Sequence, residues 1–370
     1  MAGALDLDRR PILVVGETTR ACGLACRHCR ASAIAEGLPG ELTRDEGVAF
    51  VESLIGFGSP RPVLVATGGD VLMRDGLDAI VTHARTLRVP LAVAPSDTPL
   101  LTDERIAGLR QAGVKIASIS LDGATAETHD GIRGVAGHFA ATLAAIERLR
   151  RHGLTVQVNT MVMRDTIDEL PRIARIVEQS GAAIWELFFL VAVGRGAALD
   201  ELDPAENEDV CHFLFDASHY GFVVRTVEAP FFRRVVAQRR LGNAPPDHPG
   251  SLYARIGAAL REELGPPRTA SRAQTKGTRD GRGIVFVAHD GEVYPSGFLP
   301  YSLGNVKSDD LVTVYREHEL LRSIRAARFA GRCGRCDFRD LCGGSRSRAY
   351  AASGDPLGED PACPYVPPGL

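Results

Sequence analysis

The chain is 370 residues long, with 43 Lys+Arg against 46 Asp+Glu and a formal net charge of −3. Apolar residues make up 45% and charged residues 24%, the balance of an ordinary folded protein, which excludes general disorder. The absence of a basic surplus excludes a dedicated nucleic-acid binder.

In chain order, short β-type runs alternate with amphipathic stretches. Strands are predicted at 11–15, 62–66, 90–94, 114–119, 154–158 and 184–190, and helices at 43–54, 76–87, 102–111, 139–152 and 166–179. Thr43 with Glu46 reads as a capping box, and Asp103 and Glu104 place acid in a first turn. Gly113, Gly153 and Gly181 each stand between a helix and a strand, where a left-handed C-cap is expected. Six β-α units predict a parallel sheet covered by helices, a partial (β/α)6 TIM-like barrel whose chemistry sits at the carboxyl ends of its strands. Gly68, Gly69, Asp70, Ser96, Ser120 and Asn159 all follow strand runs. Residues 240–282 are rich in Pro and Gly, and Asp290-Gly291 between two apolar runs is a hairpin signal. The expected division is a barrel at 10–220, a linker or mobile cover at 221–282 and a cysteine-rich C-terminal domain at 283–370.

The first ten residues lack an apolar core, and the longest apolar stretch, 182–193, is interrupted by Glu186 and too short for a bilayer. A cytoplasmic protein with no membrane partner is expected. Seven of the eight cysteines fall in two groups, Cys22, Cys26 and Cys29 early and Cys333, Cys336, Cys342 and Cys363 late. Such groups in a cytosolic chain are more often metal or redox sites than disulfides. Cys211, alone among apolar neighbours, reads as a small buried hydrophobe.

The early group has the spacing C-x3-C-x2-C on the loop after the first strand. Three thiolates leave one iron of a cubane cluster open, whereas structural zinc wants four closed ligands. His28 is available as the fourth ligand of a Cys3His zinc site, the alternative reading. The spacing and its place in the barrel resemble the signature of radical S-adenosylmethionine (SAM) enzymes. That resemblance implies a [4Fe-4S] cluster on Cys22, Cys26 and Cys29 that chelates SAM and, once reduced, cleaves it to a 5′-deoxyadenosyl radical. It further implies that Gly68, Gly69 and Asp70, in Thr67-Gly68-Gly69-Asp70, match the family's "GGE" element toward the SAM amino group, with Asp in place of Glu. By the same resemblance Ser96 lies near the ribose, Ser120 and Arg133 receive the SAM carboxylate, and Leu190 and Val191 flank the adenine.

Four late cysteines suit zinc or a closed [4Fe-4S] cluster. The tail resembles the SPASM-type extension of radical SAM enzymes, which implies an auxiliary cluster. Ser296 and Arg346 occupy the neighbourhoods where the full pattern has further cysteines, so one auxiliary [4Fe-4S] cluster is expected, on Cys333, Cys336, Cys342 and Cys363. The segments around Phe298, Asn305 and Cys342 to Tyr350 resemble the alternative haem biosynthesis branch, including iron-coproporphyrin decarboxylases and haem d1 biosynthesis. This implies oxidative decarboxylation of tetrapyrrole propionates, with Arg164, Arg195, Arg346 and Arg348 as candidates for the substrate carboxylates. The partners implied are a small-molecule substrate and an electron donor such as flavodoxin or ferredoxin. The alternatives are a natural-product tailoring enzyme acting on a sugar or nucleoside acid or on a peptide, and a zinc-stapled binding protein. Only about 20 residues precede Cys22, which weighs against a peptide-recognition domain. No acid or base catalyst is identifiable in the sequence.

Overall fold

The computed structural model describes residues 6–245, 251–275 and 278–369. The first half alternates as the hydrophobic pattern requires: β1 (Leu13–Glu17), α1 (Arg44–Ser53), β2 (Val63–Thr67), α2 (Leu77–Thr86), β3 (Leu91–Val93), α3 (Asp103–Gln111) and β4 (Val114–Ser120). There follow α4 (Ala126–Arg133), α5 (His138–Arg151), β5 (Thr155–Val162), α6 (Leu170–Ser180), β6 (Ile184–Phe189), α7 (Pro204–Ala217) and β7 (Val223–Val227). Thr43 forms the expected capping box with Glu46, and Thr102 caps α3 through the Arg105 N–H. Gly113, Gly153 and Gly181 have φ of +99°, +75° and +67°, as a left-handed exit from each helix demands. Cys211 is fully buried inside α7 and packs in the core.

The later chain adds α8 (Phe232–Arg240), α9 (Leu252–Leu264), β8 (Ile284–Val287), β9 (Glu292–Tyr294) and β10 (Gly304–Asn305), then α10 (Leu311–Glu317), α11 (Glu319–Arg325), α12 (Gly331–Arg335) and α13 (Arg346–Ser353). All ten strands form one sheet in the order β10-β9-β8-β1-β2-β3-β4-β5-β6-β7. From β8 to β7 every pairing is parallel, and the hairpin β8–β9 is antiparallel as expected. Trp185, Leu187 and Phe213, all wholly buried, lie in the main core. Among the described residues no helix is long and apolar enough to cross a membrane.

The structure adds α7, which is not among the predicted helices, and differs from the sequence expectation in three further places. Helix α4 was hidden because its buried positions are His129, Ile132 and Arg133, a face too polar for the hydrophobic pattern. The stretch expected as linker or mobile cover carries β7, α8 and α9, and α9 packs on α6 and α7. Of that stretch, residues 246–250 and 276–277 lie outside the described residues. The hairpin is not a separate layer either, since β8 pairs with β1 and the sheet runs through both expected boundaries, at 221 and at 283.

A buried polar hub joins α13 to the barrel. Arg348 donates to the carbonyls of Leu190 (2.9 Å) and Glu228 (2.9 Å) and pairs with Glu201 and Asp360. The Glu228 carboxylate accepts hydrogen bonds from the Ser345 and Ser347 hydroxyls, and Ser347 also reaches Asp280 at 3.2 Å. Burial, reinforced by Asp280, pushes the Glu228 carboxyl well above the usual carboxylate range. The folded state therefore keeps a proton that the unfolded chain releases, and stability from this group declines as pH rises from the ordinary glutamate range toward the folded value. Glu228→Gln mimics the protonated acid, so its thermal midpoint is expected to gain on the native chain as pH is raised from about 5 to about 8. A melting series across that range checks the sign.

Candidate active site at the barrel mouth

The cysteine loop leaves β1 and is clasped from three sides. From β2, Thr67 O accepts the Thr18 N–H (2.7 Å), while the Gly69 and Asp70 N–H groups donate to Thr19 O (2.7 Å) and Ala21 O (2.6 Å). From α4, the Arg133 and Ile132 carbonyls accept from Ala25 (3.2 Å) and Arg27 (2.9 Å). From the turn after β6, Arg195 donates to the carbonyls of Cys26 (2.9 Å) and Ala33 (2.8 Å) through its side chain, and to Cys29 O (3.0 Å) through its N–H. Such contacts leave no room for side chains. A Cβ on Gly69 would lie 2.3 Å from Ala21 O, one on Gly68 2.6 Å from Thr19 O, and one on Gly194 2.2 Å from Arg30 O. The glycines of the Gly-Gly element are thus demanded first by the cysteine loop itself.

Each early sulfur has a donor. Leu24 N–H points to Cys22 Sγ (3.4 Å), Ala33 N–H to Cys29 Sγ (3.4 Å) and Arg133 Nη1 to Cys26 Sγ (3.5 Å), with Ser96 Oγ also 3.5 Å from Cys22 Sγ. Donors of this kind stabilise ligated thiolates. All three cysteines line one cleft of about 230 Å³ at the carboxyl ends of the strands. Gly68, Gly69, Ser96, Ser120 and Arg133 line it with them, as expected from the sequence. Three expected residues do not. Asp70 is fully buried, its carboxylate accepting from the N–H groups of Leu72 (3.1 Å) and Ser96 (3.3 Å) and the Thr98 hydroxyl (2.7 Å). Leu190 packs beside the cleft with Ile132, Met161 and Met163, and Val191 is buried outside the lining.

Against two residues of the lining, Asp122 is buried between Arg133 and His28 (Nε2–Oδ2 2.8 Å) and accepts the Met161 N–H (2.7 Å). Burial would raise its pKa, but Arg133 and His28 outweigh that and hold the carboxyl well below the usual range. His28 lines the cleft and spends its Nε2 on this contact. Behind it, His129 Nδ1 accepts the Asp122 N–H (3.1 Å), so Nε2 carries the proton toward His138 Nδ1 (2.9 Å). Burial and the Arg133 charge lower His129 to about 4, keeping it neutral. Asp97 also faces the cleft, raised to about 6 by burial.

Of the four arginines named for substrate carboxylates, only Arg195 reaches the cleft. Arg164 is spent on Glu206, and Arg346 and Arg348 are buried inside the C-terminal segment. Arg30, not singled out in the sequence although it follows Cys29 directly, lines the cleft, binds Glu17 (2.7 Å) and stacks on Phe286 (4.8 Å). Burial would raise Glu17, yet Arg30 and a hydrogen bond with His289 hold it at about 2.

The four late cysteines line a second, smaller cavity of about 30 Å³. Here too each sulfur has a donor: Asp360 N–H for Cys333, Phe338 N–H for Cys336 and Gly344 N–H for Cys342, each at 3.4 Å, and Arg234 Nη2 for Cys363 at 3.9 Å. Burial pushes the Cys342 thiol to about 12 and the Cys363 thiol to about 11. Among the described residues no three His, Cys, Asp or Glu side chains gather as ligands of one metal ion. The thiols of a cubane cluster bind different irons and so stand farther apart than ligands of a single ion.

A partial barrel with a thiol-lined, glycine-walled cleft at its mouth defines an enzyme whose hard chemistry belongs to a cofactor. The model of the Radical SAM superfamily matches residues 17–177. The chain is 34% identical to the AdoMet-dependent heme synthase of Nitratidesulfovibrio vulgaris, covering 96% of this chain and 92% of that one. It is equally similar, at 34%, to the AdoMet-dependent heme synthase of Methanosarcina barkeri, over 98% of this chain and 99% of its relative. The chain belongs to the radical SAM superfamily, and with it come a [4Fe-4S] cluster and SAM. In fold it is similar to Streptococcus suis SuiB, with a TM-score of 0.69 at 14% identity, covering 96% of this chain and 78% of that one.

Gly69→Ala is expected to displace the cysteine loop and cut SAM cleavage on the order of 100-fold. Far-ultraviolet circular dichroism should stay unchanged, and iron analysis should show the deficit confined to the early group.

Proposed function

We propose that this radical SAM enzyme oxidatively decarboxylates propionate side chains of an iron tetrapyrrole. The observation that carries the reading is the lining of the thiol-lined cleft. It gathers Arg30 and Arg195 with Phe188 and Phe298, the two rings having centroids 6.2 Å apart. Guanidiniums suit carboxylates, and aromatic faces suit a flat macrocycle. The near full-length similarity to AdoMet-dependent heme synthases supports the same substrate class.

When bound, the cluster on Cys22, Cys26 and Cys29 supplies the electron that cleaves SAM to methionine and a 5′-deoxyadenosyl radical. The chain's own residues hold and orient. The flat Gly68–Gly69 backbone, Ser96, Ser120 and Arg133 are assigned to SAM. Asp70 acts from behind by fixing the Ser96 N–H and Thr98, and Leu190 by fixing Met161 through their shared apolar cluster. Phe298, carried on the loop after β9, lines the cleft. Loss of one hydrogen atom and carbon dioxide from a propionate leaves one electron over. Cys333, Cys336, Cys342 and Cys363 are assigned a closed auxiliary [4Fe-4S] cluster that receives it, so that residues 10–220 carry the radical chemistry and 283–370 the electron. A flavodoxin or ferredoxin is the class of donor that reduces the early cluster.

The test is anaerobic incubation of reconstituted, reduced protein with SAM and iron-coproporphyrin III, followed by mass spectrometry. The expected result is stepwise loss of carbon dioxide matched by 5′-deoxyadenosine. Formation of 5′-deoxyadenosine with the porphyrin unchanged would move the substrate to a natural-product acid. Replacing Cys22, Cys26 and Cys29 together by Ala should abolish 5′-deoxyadenosine while the tail iron stays.

A further inference from the structure

Three guanidiniums are held on backbone carbonyls around the tail cysteines. Arg279 donates to the carbonyls of Asp340 (2.8 Å) and Arg339 (3.3 Å), and Arg233 to Leu341 O (3.4 Å) and Thr278 O. Arg346, 2% exposed, donates to Gly358 O (2.6 Å) and Pro356 O (3.1 Å) and turns Nη2 to Cys333 Sγ at 3.7 Å. All three guanidiniums bind backbone carbonyls, and none has an ion pair with a carboxylate among the described residues. Asp280 attracts Arg233 and Asp340 attracts Arg279 through space, but the acids nearby make their direct contacts elsewhere. Glu208 pairs with Arg234, Asp280 accepts the N–H groups of Arg346 and Ser347, and Asp360 accepts the N–H of Ser345. Buried charge without an ion-pair partner is costly, so negative charge at the cysteines, which Arg346 approaches directly and Cys342 brings to Arg233 and Arg279, stabilises all three. Four thiolates around an iron–sulfur core supply it.

We propose that Arg233, Arg279 and Arg346 are a fixed counter-charge that raises the reduction potential of the auxiliary cluster, suiting it to take up the substrate's surplus electron. The inference rests on the reading of the tail given above. In the step concerned, the substrate has already lost a hydrogen atom. The bond to its carboxylate then breaks to release carbon dioxide, the carbon–carbon double bond of the vinyl group forms, and the remaining electron reduces the cluster core by one. The reduced core carries one more negative charge, and fixed cations in a medium of low dielectric favour that form over the oxidised one. The arginines act through the cluster without touching substrate, which makes them positioning residues.

The experiment isolates the tail cluster in the full chain with Cys22, Cys26 and Cys29 replaced by Ala, and follows a redox titration by electron paramagnetic resonance. Arg279→Gln and Arg233→Gln are each expected to shift the midpoint to lower potential at unchanged iron content, and Arg279→Lys, which keeps the charge, to stay near the parent value. Unshifted midpoints in both Gln variants overturn the proposal. So does an Arg279→Lys midpoint that falls as far as that of Arg279→Gln, because lost packing rather than lost charge would then set the potential. If the parent holds zinc or no metal at the tail, the tail reading fails and the counter-charge proposal with it. The SAM chemistry of the early cysteines, assayed separately on the native chain, is untouched by that outcome.

Discussion

Everything at the barrel mouth depends on how closely one loop's backbone presses on another. The cysteine loop is long and carries little apolar surface of its own, so packing alone cannot fix three sulfurs in space. Main-chain hydrogen bonds from the β2 turn, the end of α4 and the turn after β6 fix it instead. Those bonds form only because Gly68, Gly69 and Gly194 offer no Cβ at the points of contact. A backbone held this way is rigid, and rigidity is what a site needs to orient a reactive species toward a single carbon.

The two cysteine groups solve the same problem of holding thiols, with opposite exposure to reactants. The early group faces a cleft wide enough for small molecules and is walled by Ser96, Ser120 and Arg133. The late group lines a much smaller cavity, of about 30 Å³. In both, each sulfur is met by a donor, and in both a guanidinium is among those donors, Arg133 in one and Arg234 and Arg346 in the other. The continuous sheet and the hub of Arg348, Glu228 and Asp360 tie the two together. Ser296 and Ser347 share a hydrogen bond of 3.0 Å, and Arg346 braces the tail through the Gly358 carbonyl.

Electrostatics in the cleft follow burial and pairing. Asp122 stays charged because Arg133 and His28 face it, whereas Asp97, with only Arg148 at 3.7 Å, is pushed toward its protonated form. His129 stays neutral because burial and Arg133 both oppose its charge. Asp97 and His138 line the cleft, while Asp122 and His129 are buried beside it.

The sequence by itself determined the six β-α units, the caps at Thr43 and Thr102, the hairpin at Asp290-Gly291 and the two cysteine groups. Each is written in local periodicity, in turn chemistry or in spacing, which a linear reading detects. Only the tertiary structure decided that β8 would pair with β1 and that α4 would bury His129 and Arg133. It also decided that Asp70 would support Ser96 from behind, and that Arg30, not Arg164, Arg346 or Arg348, would join Arg195 in the cleft. Those outcomes depend on partners far apart in the chain, and an arginine carries no local sign of whether a carboxylate, a carbonyl or open space will meet it. The physical reason is the same throughout: backbone preference is set by neighbours in sequence, whereas charge pairing and close backbone approach are set by neighbours in space.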